Sequence, residues 1–210
     1  MELKLFFTVL AFFVGLYSFV PYYKDILAGK TKPHAYTWLI WTITQGVATA
    51  GIWYGGGGFS SYSWIIMTVL VFGIFLLSLK YGTKNITLSD TVVLLLALVA
   101  IGIWVFLDEP IVSVLMVTAI DLLGYIPSYR KVYEEPGTET SRSYVLFVVG
   151  NLIAIAALVE YNLLTLAYVV AITFANAAMV LLIFLRKKAL MTHVDKPVNT
   201  GDKRQKTKIW

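Results

Sequence analysis

Four amide or carboxyl side chains interrupt long apolar stretches of this chain: Gln45, Asp121, Asn151 and Asn176. In a bilayer core such groups are costly, about 2.5–3.5 kcal/mol for an aspartate, so each needs a reason to be there. Amides both donate and accept hydrogen bonds, which suits holding a hydroxyl-rich or amide-bearing solute rather than transforming it. Trp41 lies four residues before Gln45 and shares its helix face. Its ring offers a platform for a sugar ring or a planar base. The residues of covalent chemistry are missing. There is no cysteine, hence no thiol nucleophile or Cys metal site, and the two histidines, His34 and His193, fall in polar segments. No Ser-His-Asp set, metal cluster or phosphate-binding loop is discernible. Neither an enzyme nor a bound cofactor is expected.

The elements that must position these residues follow from hydropathy. Of 210 residues, 59% are hydrophobic and 14% charged, a balance that belongs to integral membrane proteins. Apolar stretches near 4–24, 35–54, 59–80, 88–107, 111–130, 142–160 and 163–185 each reach the length, about 20 residues, that crosses a bilayer as a helix. The first runs into Pro21 without a basic leader or small-residue cleavage site, so it reads as a span and not a signal peptide. Counted from their helix ends, the four polar residues lie roughly 15–20 Å deep at 1.5 Å per residue. They come from the second, fifth, sixth and seventh stretches, and a shared depth is what a central solute site requires.

Charge fixes the expected orientation. With the N-terminus outside, the segments 24–34, 80–87, 130–142 and the tail after 185 are cytoplasmic. They carry every basic residue of the 17 except Lys4. The net charge of +5 is thereby a topology device and implies no nucleic acid. The expected location is the plasma membrane, multi-pass, with a cytoplasmic C-terminus. The outer connections are Tyr54-Gly-Gly-Gly-Gly-Phe59, a flexible turn or a gate hinge, and acidic tight turns at Asp108-Glu109-Pro110 and Glu160-Tyr161-Asn162. Residues 189–210 read as a disordered basic tail able to touch anionic lipid.

Sliding the chain by 106 residues superposes landmarks: Pro21 on Pro127, Tyr23 on Tyr129, Lys24 on Arg130, Gln45 on Asn151, Tyr62 on Tyr168 and Lys80 on Arg186. Both copies start outside, so they are parallel, and the fourth stretch supplies the crossing that makes this possible. The organisation is a first three-helix unit at 1–86, a linker helix at 87–109, a second unit at 110–188 and the tail. The fold class is an all-α integral membrane protein of seven transmembrane helices in a 3+1+3 plan, N-out/C-in. Pro21 and Pro127 each remove a backbone donor near the cytoplasmic end of a unit's first helix, giving a gate hinge or a static kink. Tyr23 and Tyr129 beside them are gate candidates. Trp38 and Tyr36 read as part of an interfacial aromatic belt.

The sequence resembles the SWEET and PQ-loop superfamily of transporters over residues 4–188. The likeness rests on Pro21 followed by Gly29-Lys-Thr-Lys-Pro33, Trp38 and Trp41, and on Pro127 followed by Gly137-Thr-Glu-Thr-Ser-Arg-Ser143. The motif's glutamine is replaced by Tyr22 and Ser128, and prolines deep in the second helix of each unit are absent. The resemblance implies parallel repeats about an axis along the membrane normal, a facilitative carrier for a small polar solute such as a sugar, and a substrate-binding role for Asn176. Other readings stand beside it: a nucleoside or vitamin carrier, a proton-coupled carrier, or a non-transporting receptor. Asn176 could equally be packing glue between helices. Asp121 is either a proton carrier or a structural hydrogen bond, to the backbone freed by Pro127 or to Asn151. Oligomeric state is undecided between monomer and homo-oligomer.

Overall fold

Apolar runs bounded by caps and turn residues become helices. The computed structural model describes residues 2–54, 59–106, 109–158 and 161–194. Among them are α1 (Glu2–Leu27), α2 (Ala35–Tyr54), α3 (Phe59–Tyr81), α4 (Leu88–Trp104), α5 (Pro110–Glu134), α6 (Ser141–Ala157) and α7 (Leu163–Val194), with a single 3-10 turn at Pro136–Thr138. No strand occurs among the described residues. The glycine run 55–58, Asp108 and Glu160 lie outside the described residues, as does the chain beyond 194.

Local chemistry sets the boundaries. Thr87 and Asp90 form a reciprocal capping box at the start of α4. Pro110 opens α5, where its missing N–H costs nothing. Asn162 and Thr165 cap α7 by exchanging side-chain and backbone bonds. Gly29, at φ +70°, takes the left-handed turn that ends α1. Pro21 and Pro127 are accommodated inside helices that continue past them. Helix α7 outruns its expected end at 185, because Arg186-Lys-Lys-Ala-Leu-Met191 is made of good helix formers and its cations suit a helix C-terminus.

Two helices, Glu2–Leu27 and Thr165–Met191, are long and apolar enough to cross a membrane; Ile65–Tyr81, Leu88–Trp104 and Ser141–Ala157 are apolar but shorter. Outward faces carry large apolar side chains, among them Phe6, Phe13, Leu95, Val99, Phe174 and Phe184.

Packing repeats at the 106-residue offset. Helix α3 touches both α1 and α2, and α7 touches both α5 and α6. Between these groups α1 packs on α6, and α5 on α2, which are corresponding pairs. The correspondence reaches side chains. Trp41 meets Tyr125 edge to face at 4.7 Å, and Phe147 meets Phe19 the same way at 5.2 Å. The Tyr23 hydroxyl donates to the Leu70 carbonyl (2.6 Å), and the Tyr129 hydroxyl to that of Ala175 (2.7 Å). Helix α4 lies against α5 and α2 through Ala97, Ile120 and Ile40.

The loops after α1, α3 and α5 meet at one end of the bundle, hereafter the basic end. Lys32 N donates to Thr138 O (3.0 Å), and Thr83 N to Pro33 O (3.2 Å). Lys131, fully buried, pairs with Glu139 and donates to the carbonyls of Lys32 (2.8 Å) and Thr138 (3.1 Å). Arg130 forks onto Asp90 through Nε (2.9 Å) and Nη2 (2.6 Å), tying α5 to α4. Two of the cations counted for topology are therefore committed to ion pairs.

Candidate functional site

A cavity of about 890 Å³ lies among α1, α2, α3, α5, α6 and α7. All five candidate binding residues line it: Trp41 and Gln45 from α2, Asp121 from α5, Asn151 from α6 and Asn176 from α7. Its volume falls in the range of small-molecule sites, roughly 300–1,000 Å³. The rest of the wall is mostly apolar, including Val9, Phe12, Met67, Val71 and Ile172. A few polar groups on an apolar wall is the pattern of a site that orients a ligand.

Asp121 is the hub of the polar set. It is buried, 6% exposed, and its two carboxyl oxygens accept from the hydroxyls of Thr44 (2.6 Å) and Tyr168 (2.5 Å). Its backbone carbonyl accepts from Trp41 Nε1 at 3.2 Å. One residue thus joins α2, α5 and α7. The carboxyl's partners are Thr44, one helical position before Gln45, and Tyr168, rather than the Asn151 or the backbone freed by Pro127 that the sequence suggested. Gly124 makes the tryptophan's approach feasible, since a Cβ there would stand 2.7 Å from Trp41 Nε1.

The counterpart of this contact across the bundle is made differently. Positions 106 residues before Asp121 and after Thr44 are Gly15 and Gly150, where α1 and α6 pack backbone to backbone. A Cβ on Gly150 would meet the Gly15 nitrogen at 3.7 Å. A hydrogen-bonded pair on one side and two glycines on the other make the cavity asymmetric, with its carboxylate on the α5 side.

Asn176 is 5% exposed, and its Oδ1 accepts from the Tyr125 hydroxyl at 3.0 Å. Tyr125, Tyr144, Phe19 and Phe147 line the cavity without having stood out as site residues, and Tyr168, the counterpart of Tyr62, lines it too. A signal was present: Tyr125 lies 106 residues after Phe19, and Phe147 106 after Trp41.

At the basic end the cavity meets an aromatic floor. Rings contact in series from Phe19 to Phe147, Tyr144, Tyr22, Trp38, Trp41 and Tyr125. Trp38, expected in an interfacial belt, is only 1% exposed and forms part of this floor. Tyr36, by contrast, is half-buried beside His34. At the opposite end the lining reaches Leu5, which is 65% exposed, and Ala154.

The gate candidates stand next to the floor and outside the cavity wall. Tyr23 and Tyr129 are engaged by the carbonyl bonds given above, each within its own group of three helices. Pro21 is half-buried and Pro127 buried. Of the residues standing where the resemblance has glutamine, Ser128 donates to Thr37 Oγ1 (2.9 Å) and Tyr22 is buried between Trp38 and Tyr144.

Behind the floor, His34 is fully buried with Nε2 3.4 Å from Asp90. Burial lowers its pKa from 6.5 to about 4; Asp90 opposes the fall, while Lys131 and Arg130 add to it. No group of three or more His, Cys, Asp or Glu able to hold a metal ion occurs among the described residues. No family model matches the chain, and neither a curated protein nor a solved structure does.

Proposed function

We propose that this chain is a membrane carrier, facilitative and working by alternating access, for a small polar solute such as a sugar held between two parallel three-helix units. The two units are α1–α3 and α5–α7, joined by α4 as the linking span, with the N-terminus outside and the C-terminus cytoplasmic. One observation carries the reading. Four polar residues at one depth, with Trp41 one turn before Gln45, come from four different helices and line a single cavity.

Four further observations support it. Helix and ring contacts recur at the 106-residue offset, as a duplicated unit requires. Outward faces rich in Leu, Val and Phe suit lipid and would be a liability in water. The cavity is floored by packed rings at the basic end and reaches exposed residues at the other, the form of a carrier closed on one side. The shorter α4 and α6, 17 residues each, span about 26 Å at 1.5 Å per residue, close to the bilayer's hydrocarbon thickness of about 30 Å.

The test is flux. Purified chain in liposomes is expected to equilibrate a labelled small polar solute faster than empty vesicles, and Asn176→Ala to reduce that flux by about tenfold. That factor corresponds to the loss of one buried hydrogen-bonding group, about 1.4 kcal/mol. A solute panel that never exceeds empty vesicles counts against carriage; binding without flux would instead indicate a receptor.

A further inference from the structure

The charge inventory of the cavity wall restricts what it can hold. Among the described lining residues there is no Lys, Arg or His, and Asp121 is the only carboxylate. An anionic solute entering this space would leave water and meet neutral amide donors but no positive charge to offset its own. A cation would meet two kinds of compensation at one place. The Asp121 carboxyl lies in the wall, its two oxygens held by the hydroxyls of Thr44 and Tyr168. Trp41 is bonded directly to the Asp121 backbone, and its ring and that of Tyr125 lie 4.7 Å apart beside it. Aromatic faces attract organic cations, most strongly once water is excluded.

We propose that the cavity selects organic cations of the alkylammonium class, the positive head seated by the Asp121 carboxylate and the rings of Trp41 and Tyr125. This rests on the carrier reading above and names the solute class of that same site. The carboxylate's placement on the α5 side alone, opposite the Gly15 and Gly150 contact, gives the cation one seat and not two. The apolar remainder of the wall suits the alkyl part of such a solute.

The experiment uses three solutes of one shape and different charge: choline, its neutral isostere with a tert-butyl group in place of trimethylammonium, and the anion tert-butylacetate. Binding to the full chain in detergent is measured by calorimetry against empty micelles. Choline is expected to bind at least tenfold tighter than the neutral isostere, and the anion not to bind. Asp121→Asn is expected to reduce the choline preference to threefold or less, and Trp41→Leu to lower choline affinity about tenfold. The trio on the native chain needs no variant, so it decides the matter even where Asp121→Asn does not fold. Equal binding of the neutral isostere, binding of the anion, or binding of glucose with none of the three overturns the inference. In the glucose case the carrier reading survives. Choline binding without flux in liposomes would leave the cation seat standing and remove the carrier.

Discussion

Replacing Lys131 by Met places the ion-pair network of the basic end under the sharpest test. The ammonium is fully buried and serves three acceptors: the Glu139 carboxylate and the carbonyls of Lys32 and Thr138. Methionine fills similar volume but supplies no donor. Glu139, itself buried, would keep only the Tyr144 hydroxyl at 3.1 Å. Removing one partner of a buried pair costs about 3–5 kcal/mol, because the other charge is left uncompensated. At roughly 2–4 °C per kcal/mol for a chain of this size, the melting temperature should fall by about 6–20 °C. Glu139→Gln in the same chain removes the stranded charge, so the double variant should melt above Lys131→Met alone. The coupling in the double-mutant cycle should be at least about 1.5 kcal/mol. Unfolding in detergent, followed by tryptophan fluorescence, gives all four values. A Lys131→Met chain within 1 kcal/mol of wild type, or a double variant equal to the sum of the singles, would refute the reasoning.

Two other outcomes are expected. His34 is neutral when folded, with a pKa of about 4 against 6.5 unfolded, so between those values the unfolded chain binds more protons. Its contribution is complete above about pH 6.5 and is lost as pH falls towards 4, by about 3 kcal/mol in all; His34→Gln should flatten that acid limb in unfolding measured against pH. The orientation can be read from cysteine substitutions, since the chain has no cysteine of its own. Lys30→Cys should react with an impermeant thiol reagent only from the cytoplasmic side and Tyr161→Cys only from outside, and labelling of both from one side would reject the seven-span plan.

Much of the architecture is legible in the sequence because hydropathy and capping act locally. Every helix begins within about two residues of its expected start, and depth counting brings Gln45, Asp121, Asn151 and Asn176 to one cavity. Tertiary choices are less visible. Trp38 could serve an interface or a core, since its ring is amphipathic, and only the neighbouring Tyr22 and Tyr144 decide for burial. Lys131 reads as a loop cation until Glu139, eight residues on, folds back onto it. The partner of Asp121 was hidden because a threonine in an apolar helix ordinarily bonds its own backbone, and the Ile40 carbonyl does stand 3.1 Å from Thr44 Oγ1.

The central claim is that a solute occupies the cavity shared by the two units. Ala154 lines that cavity and is small, so a cysteine fits there with little disturbance. In sealed vesicles bearing Ala154→Cys, an impermeant thiol reagent added outside should label the chain, and a transported solute should slow that labelling in proportion to its occupancy. Labelling at an unchanged rate under saturating solute would contradict the account.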